Sequence, residues 1–225
     1  KGTVTIIFQV VGETTMLLNA LNEGDCLEDF AGPLGKPSLI DGTKKVCIIG
    51  GGVGCAIAYP TAKAFHEAGA DVTTIVGFRN KDLVILEEEF KKVSDAYYLM
   101  SDDGSVGEKG LVTNKLEDLI TGGEKFDEVV AIGPIVMMKF VSLTTKKYNI
   151  PTTVSMNPVM IDGTGMCGGC RLKVGDEIKF ACVDGPDFDG HLVDFDQAMA
   201  RNTAYKSFEA HKRDEACHLL NKEVE

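Results

Sequence analysis

Apolar strand patterns alternate with amphipathic helix patterns through the middle of this 225-residue chain. The strand patterns are short β-branched or apolar runs at residues 45–49, 71–76, 95–100, 126–132 and 151–155. The helix patterns between them cover residues 55–68, 86–93, 113–120 and 135–148. Repeated strand–helix units predict a parallel sheet with helices on both faces, because each crossover returns the chain to the same sheet. We therefore expect an α/β domain over residues 43–155.

The segments on either side of this domain have different compositions. The segment before it predicts strands at 3–11 and 26–31 around a short helix at 16–21 with a threonine N-cap. Residues 156–194 are rich in Gly, Asp and Cys, and residues 195–225 are polar and helix-prone. Because this tail is too polar for a free-standing packed helix, we expect it to lie on the domain or on a partner.

A glycine-rich turn follows the first strand of the domain, and a Gly-Pro turn follows the fourth. Glycines before a helix let the backbone approach a pyrophosphate, and the helix N-terminus supplies amides and partial positive charge. Because ligands bind outside the carboxyl ends of such strands, the two turns are candidates to flank one dinucleotide. Cys55 breaks the G-x-G-x-x-G spacing, so a tight turn without ligand and an ordinary helix start remain alternatives. The residues of the two turns are Gly50, Gly51, Gly52, Val53, Gly54, Gly133 and Pro134.

An aspartate and three cysteines follow in the pattern D-x4-C-x2-C-x11-C, formed by Asp162, Cys167, Cys170 and Cys182. Plant-type ferredoxins hold a 2Fe–2S cluster with C-x4-C-x2-C and a remote fourth cysteine, so the aspartate stands at the first ligand position. A carboxylate is a harder ligand than a thiolate and can still bind iron. The alternatives are a turn or capping role for Asp162 and a zinc site built from the three cysteines.

Composition restricts the partners and the compartment. The net charge of −11 argues against nucleic acid and against an anionic membrane surface. No stretch reaches the roughly 18 consecutive apolar residues of a membrane span, and no signal peptide is expected. Seven cysteines, three of them clustered, fit a metal site in a reducing compartment better than a secreted disulfide scaffold. We therefore expect a cytoplasmic protein that binds neither nucleic acid nor membrane.

The order of these features resembles the ferredoxin-NADP reductase superfamily. A segment with Gly12-x-Thr14-Thr15 comes first, followed by the glycine turn, the Gly-Pro turn and the cysteine loop. More closely, the chain resembles the electron-transfer subunit of dihydroorotate dehydrogenase and the small subunit of the electron-bifurcating NADH-dependent reduced ferredoxin:NADP oxidoreductase. Dihydroorotate-type subunits present four cysteines, whereas an aspartate with three cysteines, as found here with Asp162, is similar to the bifurcating subunit. The segments at 32–37, 131–134 and 162–168 also look like that subunit.

The resemblance implies an oxidoreductase subunit that transfers electrons between NAD(H), FAD and a 2Fe–2S cluster. Gly12, Thr14 and Thr15 would contact the FAD pyrophosphate, the glycine turn would hold the NADH pyrophosphate, and the Gly-Pro turn would lie near the nicotinamide. A larger flavin and iron–sulfur subunit would be the partner, with ferredoxin served indirectly. The cluster ligands would be Asp162, Cys167, Cys170 and Cys182.

The implied architecture is an α/β protein in four parts. These are the C-terminal part of an antiparallel flavin-binding β-barrel over 1–42, a Rossmann-like parallel-sheet nucleotide domain over 43–155, a small 2Fe–2S loop domain over 156–194 and a helical tail over 195–225. The family's barrel needs more strands than the first part can supply, so we expect half of it to be missing from this chain, with altered flavin binding as the alternative. The open alternatives are the electron-transfer subunit of dihydroorotate dehydrogenase and a non-catalytic zinc-containing interaction module.

Overall fold

The computed structural model describes residues 2–40 and 42–222, with side chains described through residue 215. A seven-stranded sheet has the order β4-β3-β2-β1-β5-β6-β9, and a hairpin pairs β7 with β8. The strands are β1 (Lys45–Gly51), β2 (Asp71–Phe78), β3 (Ala96–Ser101), β4 (Glu108–Lys109), β5 (Glu128–Ile132), β6 (Thr152–Ser155), β7 (Arg171–Val174), β8 (Glu177–Phe180) and β9 (Asp187–Asp189). The helices are α1 (Glu13–Asn19), α2 (Cys55–Glu67), α3 (Glu87–Lys92), α4 (Val112–Thr121), α5 (Ile135–Lys147), α6 (Ala181–Asp184), α7 (Phe195–Asn202) and α8 (Lys206–Lys222).

The α/β fold expected for the middle of the chain is confirmed. β1 lies between β2 and β5 and is parallel to both, and the pairs β2–β3, β3–β4 and β5–β6 are parallel as well. β9 runs antiparallel beside β6. Each predicted strand and helix of this part is present, and no boundary differs by more than two residues. The strands read as continuous apolar runs because helices cover both faces of the sheet.

The sheet separates two hydrophobic cores. On one face α2 and α3 bury Phe65 and Phe90 against the sheet. On the other face α4 and α5 bury Leu116 and Met138, and Leu172 of β7 joins the same core. Each of these five side chains is at most 1% exposed. The second core also contains residues of α7, so it attaches both the cysteine-rich segment and the first helix of the tail to the sheet.

The prediction of strands at 3–11 and 26–31 is wrong. Residues 2–40 contain α1 and otherwise extended or irregular backbone without a strand. A strand satisfies its backbone groups by pairing with a neighbouring strand, and no part of the described chain pairs with these residues. Apolar side chains of this segment are exposed as a result, with Val4 at 75% and Leu39 at 89%. The helix also starts earlier than predicted, after Gly12 as N-cap rather than after a threonine.

The C-terminal part contains elements that the sequence analysis did not predict. The β7–β8 hairpin and β9 lie in the cysteine-rich segment, where only a loop was expected. The tail forms α7 and α8, while residues 223–225 lie outside the described residues. Lys139 of α5 contacts Asp196 of α7 at 2.6 Å, and α8 lies against α1. Across residues 2–40 and 42–222, no helix is both long and apolar enough to cross a membrane.

Candidate functional site

A cleft of about 1170 Å³ opens at the carboxyl edge of the parallel sheet. The turns after β1 and β5 form part of its wall, and residues after β2, β3 and β6 line it as well. β1 and β5 are neighbours at the point where the strand order reverses, which is where open α/β sheets bind ligands. Ile7, Gln9 and Val11 of the N-terminal segment also line the cleft.

The two turns singled out in the sequence touch each other in this cleft. A Cβ atom on Gly54 would lie 2.7 Å from the Cα of Gly133 and 2.7 Å from the carbonyl oxygen of Ile132. A Cβ atom on Gly51 would lie 2.8 Å from the Cδ of Pro134. Nothing larger than hydrogen fits at either glycine unless the turns move apart. The structure therefore brings the two turns together, and their role in holding a nucleotide stays a prediction. The lining residues from these turns are Gly51, Gly52, Val53, Gly54, Gly133 and Pro134.

Gly50 and Gly52 serve the turn in different ways. Gly50 belongs to β1 rather than to the lining of the cleft, and a Cβ atom there would lie 2.8 Å from the Sγ of Cys55. Its glycine therefore allows α2 to pack closely on the strand. Gly52 has φ +55° and begins the 3-10 turn Gly52–Gly54 that leads into α2. Space around Gly52 is open, so the left-handed backbone alone favours glycine there.

Polar residues outside the two turns complete the cleft, and none of them is among the predicted site residues. The Nδ2 of Asn157, after β6, donates a hydrogen bond to the carbonyl oxygen of Gly133 at 3.3 Å. Arg79 and Asp102 directly follow β2 and β3, and Asn114 lies in the first turn of α4. The sequence feature that could have identified them is a polar residue just after a predicted strand or at the start of a predicted helix. Arg79 stands at the end of the second strand, near where dinucleotide-binding folds place a ribose-binding acid.

The residues expected to contact flavin, Gly12, Thr14 and Thr15, lie at the start of α1. The Oγ1 of Thr15 accepts hydrogen bonds from the amide of Gly12 at 3.0 Å and from the amide of Val11 at 2.9 Å. Val11 lines the cleft, whereas the three predicted residues lie just beside it. The structure thus places this group next to the cleft rather than in its wall, and contact with flavin stays a prediction.

The cysteine loop brings two of its four predicted ligands into contact. The thiols of Cys170 and Cys182 are 3.3 Å apart, and both residues are buried. Burial and the neighbouring Cys170 thiol raise the pKa of Cys182. Cys167 is exposed, and its Sγ accepts a hydrogen bond from the amide of Gly169 at 3.3 Å. Asp162 is likewise exposed and faces its own loop.

The carboxylate of Asp162 closes the loop that leads to the first cysteine. Its Oδ1 accepts from the amide of Thr164 at 2.9 Å, and its Oδ2 accepts from the amide of Cys167 at 2.7 Å. These two backbone hydrogen bonds lower the pKa of Asp162, because they stabilise the ionised carboxylate. The turn role that the sequence left open is therefore present. It does not exclude a ligand role, since each oxygen has a second lone pair.

The four predicted ligands have the chemistry of an iron–sulfur site, although they do not surround a single point in this structure. In the part of the chain that the structure describes, no three His, Cys, Asp or Glu side chains are close enough to hold a metal ion. Two thiolates on one tetrahedral metal lie about 3.8 Å apart, which the Cys170–Cys182 pair at 3.3 Å approaches. A disulfide would need about 2.05 Å. Thiolates also favour iron–sulfur clusters or zinc over hard cations.

Residues 32–38 contact the beginning of the cysteine loop, the stretch from Asp162 to Cys182 that carries the four predicted ligands, and the chain that follows it. A Cβ atom on Gly163 would lie 2.7 Å from the Cδ1 of Leu34. The amide of Lys36 donates to the carbonyl oxygen of Gly185 at 2.6 Å, and the hydroxyl of Ser38 donates to the carboxylate of Asp187. The N-terminal segment therefore contacts the cysteine loop at its beginning and the chain just after its end.

Comparison with known proteins agrees with this arrangement. The iron–sulfur cluster binding domain of dihydroorotate dehydrogenase B matches residues 157–194, which include all four predicted ligands. A homologue of the dihydroorotate dehydrogenase B electron transfer subunit from Thermotoga maritima is 48% identical over 209 residues, covering 93% of this chain and 73% of the relative. The electron transfer subunit from Streptococcus pneumoniae R6 is 35% identical over 189 residues, covering 81% and 72%.

A solved structure is similar over most of the fold. It comes from work on flavin-based electron bifurcation in the NADH-dependent reduced ferredoxin-NADP oxidoreductase. The matched chain is 46% identical with a TM-score of 0.86, and the match covers 92% of this chain and 75% of that one.

Proposed function

Because this chain belongs to the family of dihydroorotate dehydrogenase B electron transfer subunits and their homologues, we propose that it transfers electrons within a larger oxidoreductase. The electrons pass between NAD(H), FAD and a 2Fe–2S cluster. The family resemblance predicted from the order of the motifs is confirmed. The prediction of an oxidoreductase subunit of this kind is confirmed with it.

The proposal rests on one observation: the chain that lines the cleft continues directly into the cysteine loop. Met156, Pro158 and Met160 line the cleft, and the chain then continues directly to Asp162. Pro186, four residues after the last predicted ligand, Cys182, lines the cleft too. A cofactor in the cleft and a cluster on the loop would therefore be neighbours across one short stretch of chain.

We assign the pyrophosphate of NAD(H) to the 3-10 turn Gly52–Gly54. Amides at the N-terminus of α2, a 13-residue helix, offer hydrogen bonds and partial positive charge to an anion. The turn formed by Gly133 and Pro134 faces the same cleft and would hold the nicotinamide end. Val53 and Met137 add apolar surface beside these turns, which excludes water from a bound ring.

The flavin and the cluster complete the assignment. When bound, FAD accepts a hydride from NADH as an electron pair and can release the electrons singly to the cluster. This chain's residues hold the groups in place and keep water from the path between them. We assign FAD contact to Gly12, Thr14 and Thr15, and cluster ligation to Asp162, Cys167, Cys170 and Cys182.

The partner is proposed to be a larger flavin and iron–sulfur subunit, as in a bifurcating complex in the cytoplasm that serves ferredoxin indirectly. Asp162 in place of a first cysteine and the 46% identity to the chain from the bifurcating enzyme favour this partner. A dihydroorotate dehydrogenase subunit is the second candidate, because the relatives from Thermotoga maritima and Streptococcus pneumoniae carry that description.

Purification of the native complex tests the proposal. Its subunits are identified by mass spectrometry, and its flavin, iron and acid-labile sulfide are counted. We expect flavin and at least two irons and two sulfides per copy of this chain, as a 2Fe–2S cluster here requires, with the remainder held by the partner. Co-purification with a TIM-barrel subunit would favour the dihydroorotate dehydrogenase. Zinc without acid-labile sulfide would refute the redox function and support the alternative of a zinc-containing interaction module.

A further inference from the structure

Two arginines hold the short loop between the first two cysteines of the set. The Nη1 of Arg171 donates to the carbonyl oxygen of Gly168 at 3.0 Å. The Nη2 of Arg201 donates to the carbonyl oxygen of Gly169 at 3.1 Å. Arg171 directly follows Cys170, whereas Arg201 comes from the last turn of α7, outside the matched 157–194 segment. Two consecutive peptide units thus each carry a guanidinium group on their carbonyl oxygen.

The amides of these peptide units point away from the arginines. A trans peptide group is planar, with its N–H opposite its C=O, so fixing the carbonyl also fixes the amide. The first amide belongs to Gly169 and donates to the Sγ of Cys167 at 3.3 Å. The second amide belongs to Cys170 itself. A cation on the carbonyl oxygen polarises the peptide group and strengthens the hydrogen bond that its N–H donates.

A purely local role does not account for Arg201. An arginine in the last turn of a helix commonly bonds the final carbonyl groups of that helix. Arg201 instead reaches a carbonyl group 32 residues earlier in the chain. Within the residues whose side chains are described, neither Arg201 nor Arg171 forms an ion pair with an acid. Both guanidinium groups therefore bond the cysteine loop rather than an acid among the described side chains.

We propose that Arg171 and Arg201 are positioning residues for the 2Fe–2S cluster and raise its reduction potential. They hold the amides of Gly169 and Cys170 toward the ligand sulfurs. Reduction adds one electron, and hence one negative charge, to the cluster. Hydrogen bonds to sulfur and nearby positive charge stabilise that added charge, so they favour the reduced form. This inference rests on the proposed function, because it requires a cluster on the cysteine loop.

Redox titration of the native complex tests the inference, with the EPR signal of the 2Fe–2S cluster followed and its spins quantified in every sample. In Arg171→Gln and Arg201→Gln we expect about a tenfold fall in the equilibrium constant for reduction, which is about 59 mV for a one-electron couple. Arg→Lys at either position keeps the charge and a donor but loses the rigid planar group, so the constant should fall by less. Arg213→Gln is the matched control, because Arg213 pairs with Asp214 on α8. It should leave the constant within about twofold of the wild-type value.

Each outcome decides for or against the two arginines. A Gln variant that has a full cluster and the wild-type potential would overturn the proposal. If the Gln variants lose the cluster, the Lys variants decide. A full cluster with a lowered constant then supports the proposal, and an unchanged constant or a lost cluster overturns it. Wild-type complex without the EPR signal of a 2Fe–2S cluster would instead refute the proposed function, so the two failures are distinguishable.

Discussion

Replacing Gly54 by alanine tests whether the contact between the two turns shapes the cleft for a nucleotide. Gly54 has φ −58° and ψ −21°, helical values that alanine adopts without strain. Its Cβ atom would nonetheless lie 2.7 Å from the Cα of Gly133 and from the carbonyl oxygen of Ile132. Both neighbours are backbone atoms, so no side chain can turn away and the two turns must separate.

The size of the effect follows from that distance. Carbon atoms in van der Waals contact lie about 3.5–4.0 Å apart, so the turns must separate by roughly 1 Å. Overpacking of this kind costs about 1–3 kcal/mol, and each kcal/mol lowers the melting temperature by about 2–4 °C at this chain length. A misplacement of about 1 Å in a positioned site costs up to about a hundredfold. We therefore expect the Kd for NADH to rise by about tenfold to a hundredfold, which is about 1.4–2.8 kcal/mol.

Calorimetry and a fluorescence titration with NADH measure the two quantities on the same protein. Gly32→Ala is the matched control, because Gly32 has open space around a Cβ atom and lies outside the lining of the cleft. Its effect on the free energy of unfolding should stay within about 0.5 kcal/mol, and its Kd should not change. A Gly54→Ala protein with the wild-type melting temperature would contradict the packing argument. A lowered melting temperature with an unchanged Kd would separate the turns from nucleotide binding.

The aspartate and cysteine side chains lead to three further expectations. Asp162→Cys should keep a 2Fe–2S cluster but shift its reduction potential and EPR spectrum, since ligand charge and softness set both; an unchanged spectrum would show that Asp162 is not a ligand. Iodoacetamide at neutral pH should label exposed Cys26 but neither Cys47 nor Cys55, as peptide mass spectrometry can show. The reason is that burial raises the pKa of the Cys55 thiol to about 12 and also raises the pKa of the Cys47 thiol. The free energy of unfolding should fall above about pH 8.5, where unfolded thiols ionise while the buried thiols stay protonated, by up to about 1.4 kcal/mol per pH unit for each thiol. Urea titrations below and above that pH check the slope, and a Cys47→Ala, Cys55→Ala double variant should lose the part that these two thiols contribute.

The middle of the chain is predictable because its signals are local, whereas the N-terminal segment depends on residues far along the chain. β1 is buried from Val46 onward, and a run of apolar residues identifies such a strand without knowledge of its neighbours. The β-branched run at 3–11 has an equally strong pattern, but its backbone needs another strand to pair with. The described residues 2–40 offer no such strand, so this run stays extended and places Ile7 and Val11 along the cleft.

The cysteine spacing identifies candidate ligands but not the hairpin that brings two of them together. Cys170 directly precedes β7, and Cys182 lies two residues after the end of β8. Arg171 pairs with Phe180 in the hairpin, and this register returns the chain so that the two thiols meet. Its signal is present in the sequence, since Gly175-Asp176 is a two-residue loop between strands and Gly175 has φ +60°.

The edge strand β9 attaches the cysteine loop to the sheet beside the cleft. Its sequence, Asp-Phe-Asp, reads as a loop, so the alternating pattern of the domain does not reveal it. In the structure Ser155 of β6 pairs with Asp187 of β9, and the amide of Met156 donates to the carbonyl oxygen of Pro186 at 2.8 Å. The stretch from Met156 to Pro186 therefore leaves and rejoins the sheet at one point, and both of these residues line the cleft. Asn157 also bonds the turn at Gly133, so this segment contacts the wall of the proposed nicotinamide site directly.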